Sequence, residues 1–223
     1  GESGLPVSSL IPHVAEHADD LCVVRSMVSR FPEHTSANYF LHTGSGLQGR
    51  PSMGSWFSYG LGSLNKDLPG FLVLNGGLIP PGGLDNFGSG FLPAAFQGSV
   101  FKPTDPPVSN LKRLERTEAE QKRKLDLVSR LDKLGGKHAD AVESAIAKQE
   151  TAFRMQVEAQ EAFDISREPQ KIRDMYGDTE QGKQLLLARR LLERGVRYVQ
   201  AWHTGWDTHD FNDEEHRKLA KAA

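Results

Sequence analysis

The chain has 223 residues, enough for one α/β domain with a buried core, and a formal net charge of −2. Hydrophobic residues make up 38% and charged residues 25% of it, which is the texture of a globular protein rather than of a disordered or fibrous one. The near-neutral balance gives no electrostatic ground for a nucleic-acid or membrane-surface partner, and no run of eighteen apolar residues is present to span a bilayer.

In chain order, Ser8 or Ser9 can cap a short helix bearing Leu10, Val14 and His17 on one face. Leu21–Arg25 is a compact apolar run after two aspartates and reads as a buried strand, with Cys22 packed inside it as an unreactive residue. A single cysteine excludes an intrachain disulfide. Thr35 to His42 reads as a helix stopped at Thr43-Gly44, and Pro51 or Ser52 starts another that ends near Gly60–Gly62. Phe71–Leu74 is a second buried strand. Residues 75–107 are punctuated by glycine and proline and read as loop. Residues 109–163 are charged and helical, interrupted at Gly135-Gly136, and suggest a helical insertion laid on one side of the sheet, away from any site; a coiled-coil partner site is the competing reading. Pro169 opens a short helix ending at Gly177, and Gln181–Arg194 is amphipathic and closed by Gly195. Val196–Trp202 is a third strand, and the chain closes inside an apparent helix from Asn212. The alternation predicts one α/β domain over residues 1–223, with a mostly parallel sheet whose strands include 21–25, 71–74 and 197–202.

Two segments carry groups capable of chemistry. Glu33-His34-Thr35-Ser36 lies before a helix, where free N–H groups and the helix dipole favour an anion such as phosphate or sulfate. Its plainer reading is a helix cap with a nearby histidine. His203, Asp207 and His209 lie on a glycine-containing loop just after a strand, where open parallel sheets bind ligands. Mixed Asp and His ligation suits Zn²⁺ or another first-row ion; the plainer reading is a surface loop anchored by aromatics. His13, His17, His42, His138 and His216 have no comparable company and read as solvated or structural. If strands 21–25 and 196–202 run parallel, His34 and Asp207 face each other across the carboxyl edge of the sheet.

Several phrases then fall into one order: Asp20-Leu21-Cys22-Val23-Val24-Arg25-Ser26-Met27, Thr43-Gly44, Gly49-Arg50-Pro51-Ser52-Met53-Gly54-Ser55-Trp56, Gly195-Val196-Arg197-Tyr198-Val199-Gln200 and Trp206-Asp207-Thr208-His209. In these the chain resembles domain-of-unknown-function family 1501, which is often described as sulfatase-like and related to the alkaline phosphatases. The resemblance implies a three-layer α/β/α sandwich of the alkaline-phosphatase and sulfatase kind. It also implies a metal-dependent hydrolase of phosphate or sulfate esters, on small-molecule or carbohydrate substrates, with one or two Zn²⁺ or other first-row ions. In that superfamily the nucleophile stands nine residues before a Thr-Gly, which falls here on His34. Asp207 and His209 correspond to an ion-binding pair, with His203 as a third ligand or a supporting partner. His34 then serves as metal ligand, general acid/base or transient covalent acceptor, with Thr35 or Ser36 as alternative acceptors.

The chain departs from the pattern in having no Cys, Ser or Thr at position 34 and no Cys-x-Pro-x-Arg stretch. The resemblance further implies export to a bacterial periplasm or cell surface, often by a twin-arginine signal, and further ligands outside this stretch. On that expectation the chain is a fragment, inactive alone. The rival expectation is a non-catalytic exported or cell-surface binding protein that keeps the fold.

Overall fold

The computed structural model describes residues 2–75, 79–101, 117–132 and 161–222. In chain order the elements are helices α1 (Pro12–Glu16), α2 (His34–Thr43) and α3 (Met53–Leu61), strands β1 (Phe71–Leu74) and β2 (Ser99–Phe101), helices α4 (Glu118–Asp132), α5 (Gln170–Tyr176) and α6 (Glu180–Glu193), strand β3 (Tyr198–Ala201) and helix α7 (Asn212–Ala222). The three strands form one parallel sheet in the order β2-β1-β3, so the protein is an α/β fold.

β1 is central, and its four residues, Phe71-Leu72-Val73-Leu74, are all buried. An unbroken apolar run of this kind marks a parallel strand covered on both faces. Leu72 and Leu74 point into a cluster with Phe101, Leu187, Leu191 and Val196, so α6 covers that face. Phe71 and Val73 point the other way, toward Phe87, Tyr198 and Trp202. α3 closes on this second face at Gly54, where an added Cβ would lie 2.6 Å from the Phe71 ring. α6 is tied down through buried Arg190, whose Nε donates to the carbonyl of Ala162 at 2.9 Å and whose guanidinium pairs with Glu168. Its N-terminus is capped by the Thr179 hydroxyl, which accepts from the Gly182 N–H at 3.0 Å.

The register sets the edge on which chemistry can be built. Leu74 pairs with Phe101 on one side and Ala201 on the other, so all three strands finish level. The ladder runs one step further, with Asn75 N–H donating to Phe101 and Trp202 N–H to Leu74. The segment 202–211 therefore leaves from the carboxyl edge, where parallel sheets place their ligands.

The strand at Leu21–Arg25, the packing of Cys22 and the loop reading of 75–107 are corrected. Residues 21–25 are no strand: Leu21 is extended, but nothing among the described residues forms a ladder with the run, Val23 and Val24 are 52% and 60% exposed, and Arg25 lies in a turn. An apolar run becomes a strand only where a neighbour takes its N–H and C=O groups. Cys22 is accordingly exposed rather than packed. The stretch read as loop at 75–107 contains β2, which is only three residues long and rests on its pairing with β1. The expected helical insertion at 109–163 is described only at residues 117–132, which contain α4, and at 161–163, which are helical; the remainder, with Gly135-Gly136 and His138, lies outside the described residues.

The α3–β1 contact makes a testable case. Glycine to alanine inside a helix gains up to about 1 kcal/mol from propensity alone. At Gly54 the added methyl collides with Phe71, and overpacking of that kind costs about 1–3 kcal/mol. Gly54→Ala should therefore lower the urea midpoint, by a net loss of up to about 2 kcal/mol. A raised midpoint would show that the two elements are not packed in this way.

Candidate active site

α2 begins at His34 because Glu33 caps it. The Glu33 carboxylate accepts from the backbone N–H of Thr35 at 2.9 Å and from that of Ser36. The Ser36 hydroxyl, the two N–H groups and the Thr35 hydroxyl hold its pKa below the ordinary glutamate value, the Ser36 hydroxyl most strongly. The donors expected to attract an external anion are thus engaged by the chain's own carboxylate. At the other end, Gly44 takes the left-handed conformation and closes the helix by donating to Phe40.

His42, in the last turn of the helix, joins α2 to the sheet. It is 7% exposed, and its Nδ1–H donates to the carbonyl of Asn38 at 2.7 Å. The Gln200 amide nitrogen, which can only donate, lies 2.8 Å from His42 Nε2, so Nε2 accepts and the ring is the neutral Nδ1–H tautomer. The ring stacks on Trp202 at 5.4 Å and meets the edge of Phe87 at 5.5 Å. Burial pushes its pKa down, against an opposing contribution from the Asn38 hydrogen bond. Tyr39 adds a second attachment, its hydroxyl donating to Gly82 at 3.0 Å.

With α2 held against β3, its first residue reaches the loop that follows β3. His34 Nε2 stands 3.1 Å from Asp207 Oδ2, and His209 Nε2 stands 3.3 Å from Asp207 Oδ1. One carboxylate thus lies between two imidazoles. All three side chains are open to water, at 65%, 62% and 80% exposure. His203 has a different neighbour: its Nδ1 accepts from the Trp206 indole at 3.0 Å, and burial lowers its pKa. A neutral His203 with this bond carries its proton on Nε2. Thr35 lies beside Glu33, its hydroxyl among the groups that hold that carboxylate.

The loop is braced from α7. Trp206 O can only accept, so His216 Nε2 carries a proton and shares it between Trp206 O at 3.3 Å and Thr208 Oγ1 at 3.1 Å. Thr208 Oγ1 donates in turn to Asn212 Oδ1 at 2.8 Å. These contacts grip the residues on either side of Asp207. The sequence reads His216 as solvated or structural; its partners Thr208 and Trp206 stand eight and ten positions away, across a helix start, so no short motif marks it.

The donors match a first-row divalent ion in type, and each imidazole–carboxylate pair matches it in spacing, but the three do not surround one centre. Donors about 2.0–2.1 Å from a tetrahedral ion stand about 3.3 Å from one another, which is the size of both N···O separations. Among the described residues no group of three or more His, Cys, Asp or Glu is already arranged around one ion. The two imidazoles address opposite oxygens of Asp207, so they share the carboxylate rather than a common centre.

Two outcomes follow. Because the folded-state pKa of His42 is depressed, its neutral form stabilises the fold above the ordinary value of 6.5, and that contribution is lost as the pH falls toward the lower folded value. Unfolding midpoints measured from about pH 7 to pH 5 should fall more steeply for the wild type than for His42→Gln; parallel curves would mean that His42 is not buried as a neutral ring. His216→Leu should accelerate amide exchange across residues 203–211 while leaving β1 and β3 protected, since only the loop loses its brace. Unchanged exchange in the loop would remove His216 from that role.

Comparison with curated proteins and with solved structures finds no match. The model of one family, described as "Protein of unknown function (DUF1501)", matches residues 1–223. The chain, with its parallel sheet and its paired His34 and Asp207, belongs to that family.

Proposed function

We propose that the chain carries part of the site of a metal-dependent hydrolase of phosphate or sulfate esters. The observation that carries this reading is the convergence of His34, Asp207 and His209 beside the carboxyl edge of a parallel sheet. Asp207 with either neighbouring imidazole would hold the ion, which when bound supplies Lewis-acid polarisation of the ester oxygen. An imidazole beside a carboxylate is also suited to proton transfer near neutral pH, because the carboxylate orients the ring and stabilises its charged form. His34 is then the acid/base group or a ligand, Asp207 and His209 are ligands, and His203 orients the loop through Trp206. Thr35 is the alternative acceptor, with Glu33 at its hydroxyl. The three-layer sulfatase-like arrangement, with residues 109–163 as a helical insertion, and an exported, periplasmic location belong to the same proposal and rest on the resemblance.

One observation favours a second reading. Catalytic sites exclude water, whereas these three side chains are more than half exposed. An ion-binding surface protein without turnover has no need of such exclusion.

The test uses the full-length natural protein, its zinc content and its turnover of 4-nitrophenyl phosphate and 4-nitrophenyl sulfate. Asp207→Asn should lower the metal content with little effect on stability, since exposed ion pairs are worth about 0–1 kcal/mol. His34→Ala should lower turnover by about 10²–10⁴-fold if it transfers the proton. Metal that depends on Asp207 without ester turnover selects the second reading. Metal content indifferent to Asp207, together with no turnover, defeats both.

A further inference from the structure

A separate feature lies along the flank of α2. An open cleft of about 470 Å³ is lined by Arg30, Phe31, Phe40, Leu47, Arg50 and the Thr43–Gly46 turn. Its volume is within the range of small-molecule clefts, about 300–1,000 Å³. We propose that this cleft binds an organic anion: a flat apolar body carrying one carboxylate, sulfonate or phosphate group.

The charge argument comes first. Two arginines line the cleft and no aspartate or glutamate does. Neither guanidinium has a hydrogen bond or ion pair to another described residue, although most other arginines of the described chain do, such as Arg167, Arg189, Arg190 and Arg217. A guanidinium is charged at every physiological pH and offers parallel N–H donors matched to two oxygens of one oxyanion. Three amides in and beside the turn are already used: Ser45 N–H donates to Thr43 Oγ1, Leu47 N–H to Ser45 Oγ and Gly44 N–H to Phe40 O. The charged groups that face an anion here are Arg30 and Arg50.

The apolar part follows from the wall. Phe31 and Phe40 lie with ring centroids 5.3 Å apart and planes inclined by 59°. The turn is pressed flat onto Phe31 at Gly46, where an added Cβ would come within 2.2 Å of the ring. Phe31 is thus fixed between Phe40 and the turn, and a fixed aromatic wall binds a flat apolar group without an ordering cost. Leu47, 77% exposed, stands at the rim, where a ligand would cover it.

The cleft is distinct from the His34–Asp207 contact. Phe40 is six residues along α2 from His34, about 9 Å of helix, and the turn lies beyond it. The inference does not rest on the proposed ester chemistry.

Calorimetric titration of the chain with naphthalene-1-sulfonate and 1-naphthoate tests it, with 1-naphthol as the uncharged probe and inorganic sulfate as the probe without an apolar body. None of these is an ester, so hydrolysis does not enter. Saturable binding of at least one aryl anion is expected, and the better of the two identifies the preferred oxyanion. Arg30→Gln and Arg50→Gln should each weaken it by about tenfold or more, the loss of a charge-assisted hydrogen bond. Phe31→Leu should weaken it too, while leaving inorganic sulfate unaffected. Both arginines are exposed, so their variants should fold. Equal binding of 1-naphthol, equal binding of inorganic sulfate, undiminished binding by the double arginine variant, or no saturable binding by the wild type would each overturn the proposal.

Discussion

The arrangement depends on one neutral histidine. His42 accepts from Gln200 on β3, donates to Asn38 on its own helix and stacks on Trp202, the first residue past the strand. A buried imidazole in this position has both ring nitrogens satisfied, which is the condition for burying it at little cost. The consequence is geometric. His34 lies eight residues away on the same helix, about 12 Å along its axis, and a rigid helix transmits the position of one end to the other. The brace at His42 therefore decides where His34 can be, and β3 decides where the loop carrying Asp207 starts.

Buried and exposed polar groups divide the work around this edge. His42 is held in the interior and, with half-buried Gln200, supplies order. His34, Asp207 and His209 are in water, and their mutual attraction is too screened to hold anything together. Their placement comes instead from the braces on either side: α2 through His42, and the loop through Trp206, Thr208 and His216. Trp206 is central to the second brace. Its indole N–H is given to His203, its carbonyl accepts from His216, and its ring lies against both imidazoles, at 5.4 and 5.7 Å.

Positive potential near α2 is distributed in an unexpected way. The start of a helix attracts anions, but here Glu33 occupies that place and satisfies the amides itself. The available cationic groups are Arg30 and Arg50, which line a cleft walled by Phe31 and Phe40. The two ends of the helix thus face different chemistry: imidazole and carboxylate at His34, guanidinium and aromatic surface near Thr43.

The sequence by itself determined the elements whose signals are local. Thr43-Gly44 ended α2, Ser52 and Gly62 bounded α3, Gly195 closed α6, and the apolar run Phe71–Leu74 became the central strand. It also singled out His34, Asp207 and His209, as groups of the right type beside element ends. The route by which His34 meets Asp207 was not legible there. Two flanking parallel strands were expected to deliver it, yet residues 21–24 stay unpaired and the approach is made by a helix held at His42. Only the tertiary structure decided this, as it decided the three-residue strand β2, the brace at His216 and the cleft between Arg30 and Arg50. The physical reason is common to all four. Caps and apolar runs act between residues a few positions apart, whereas ladder bonds and side-chain pairs join residues such as His42 and Gln200, whose adjacency exists only after the chain has packed.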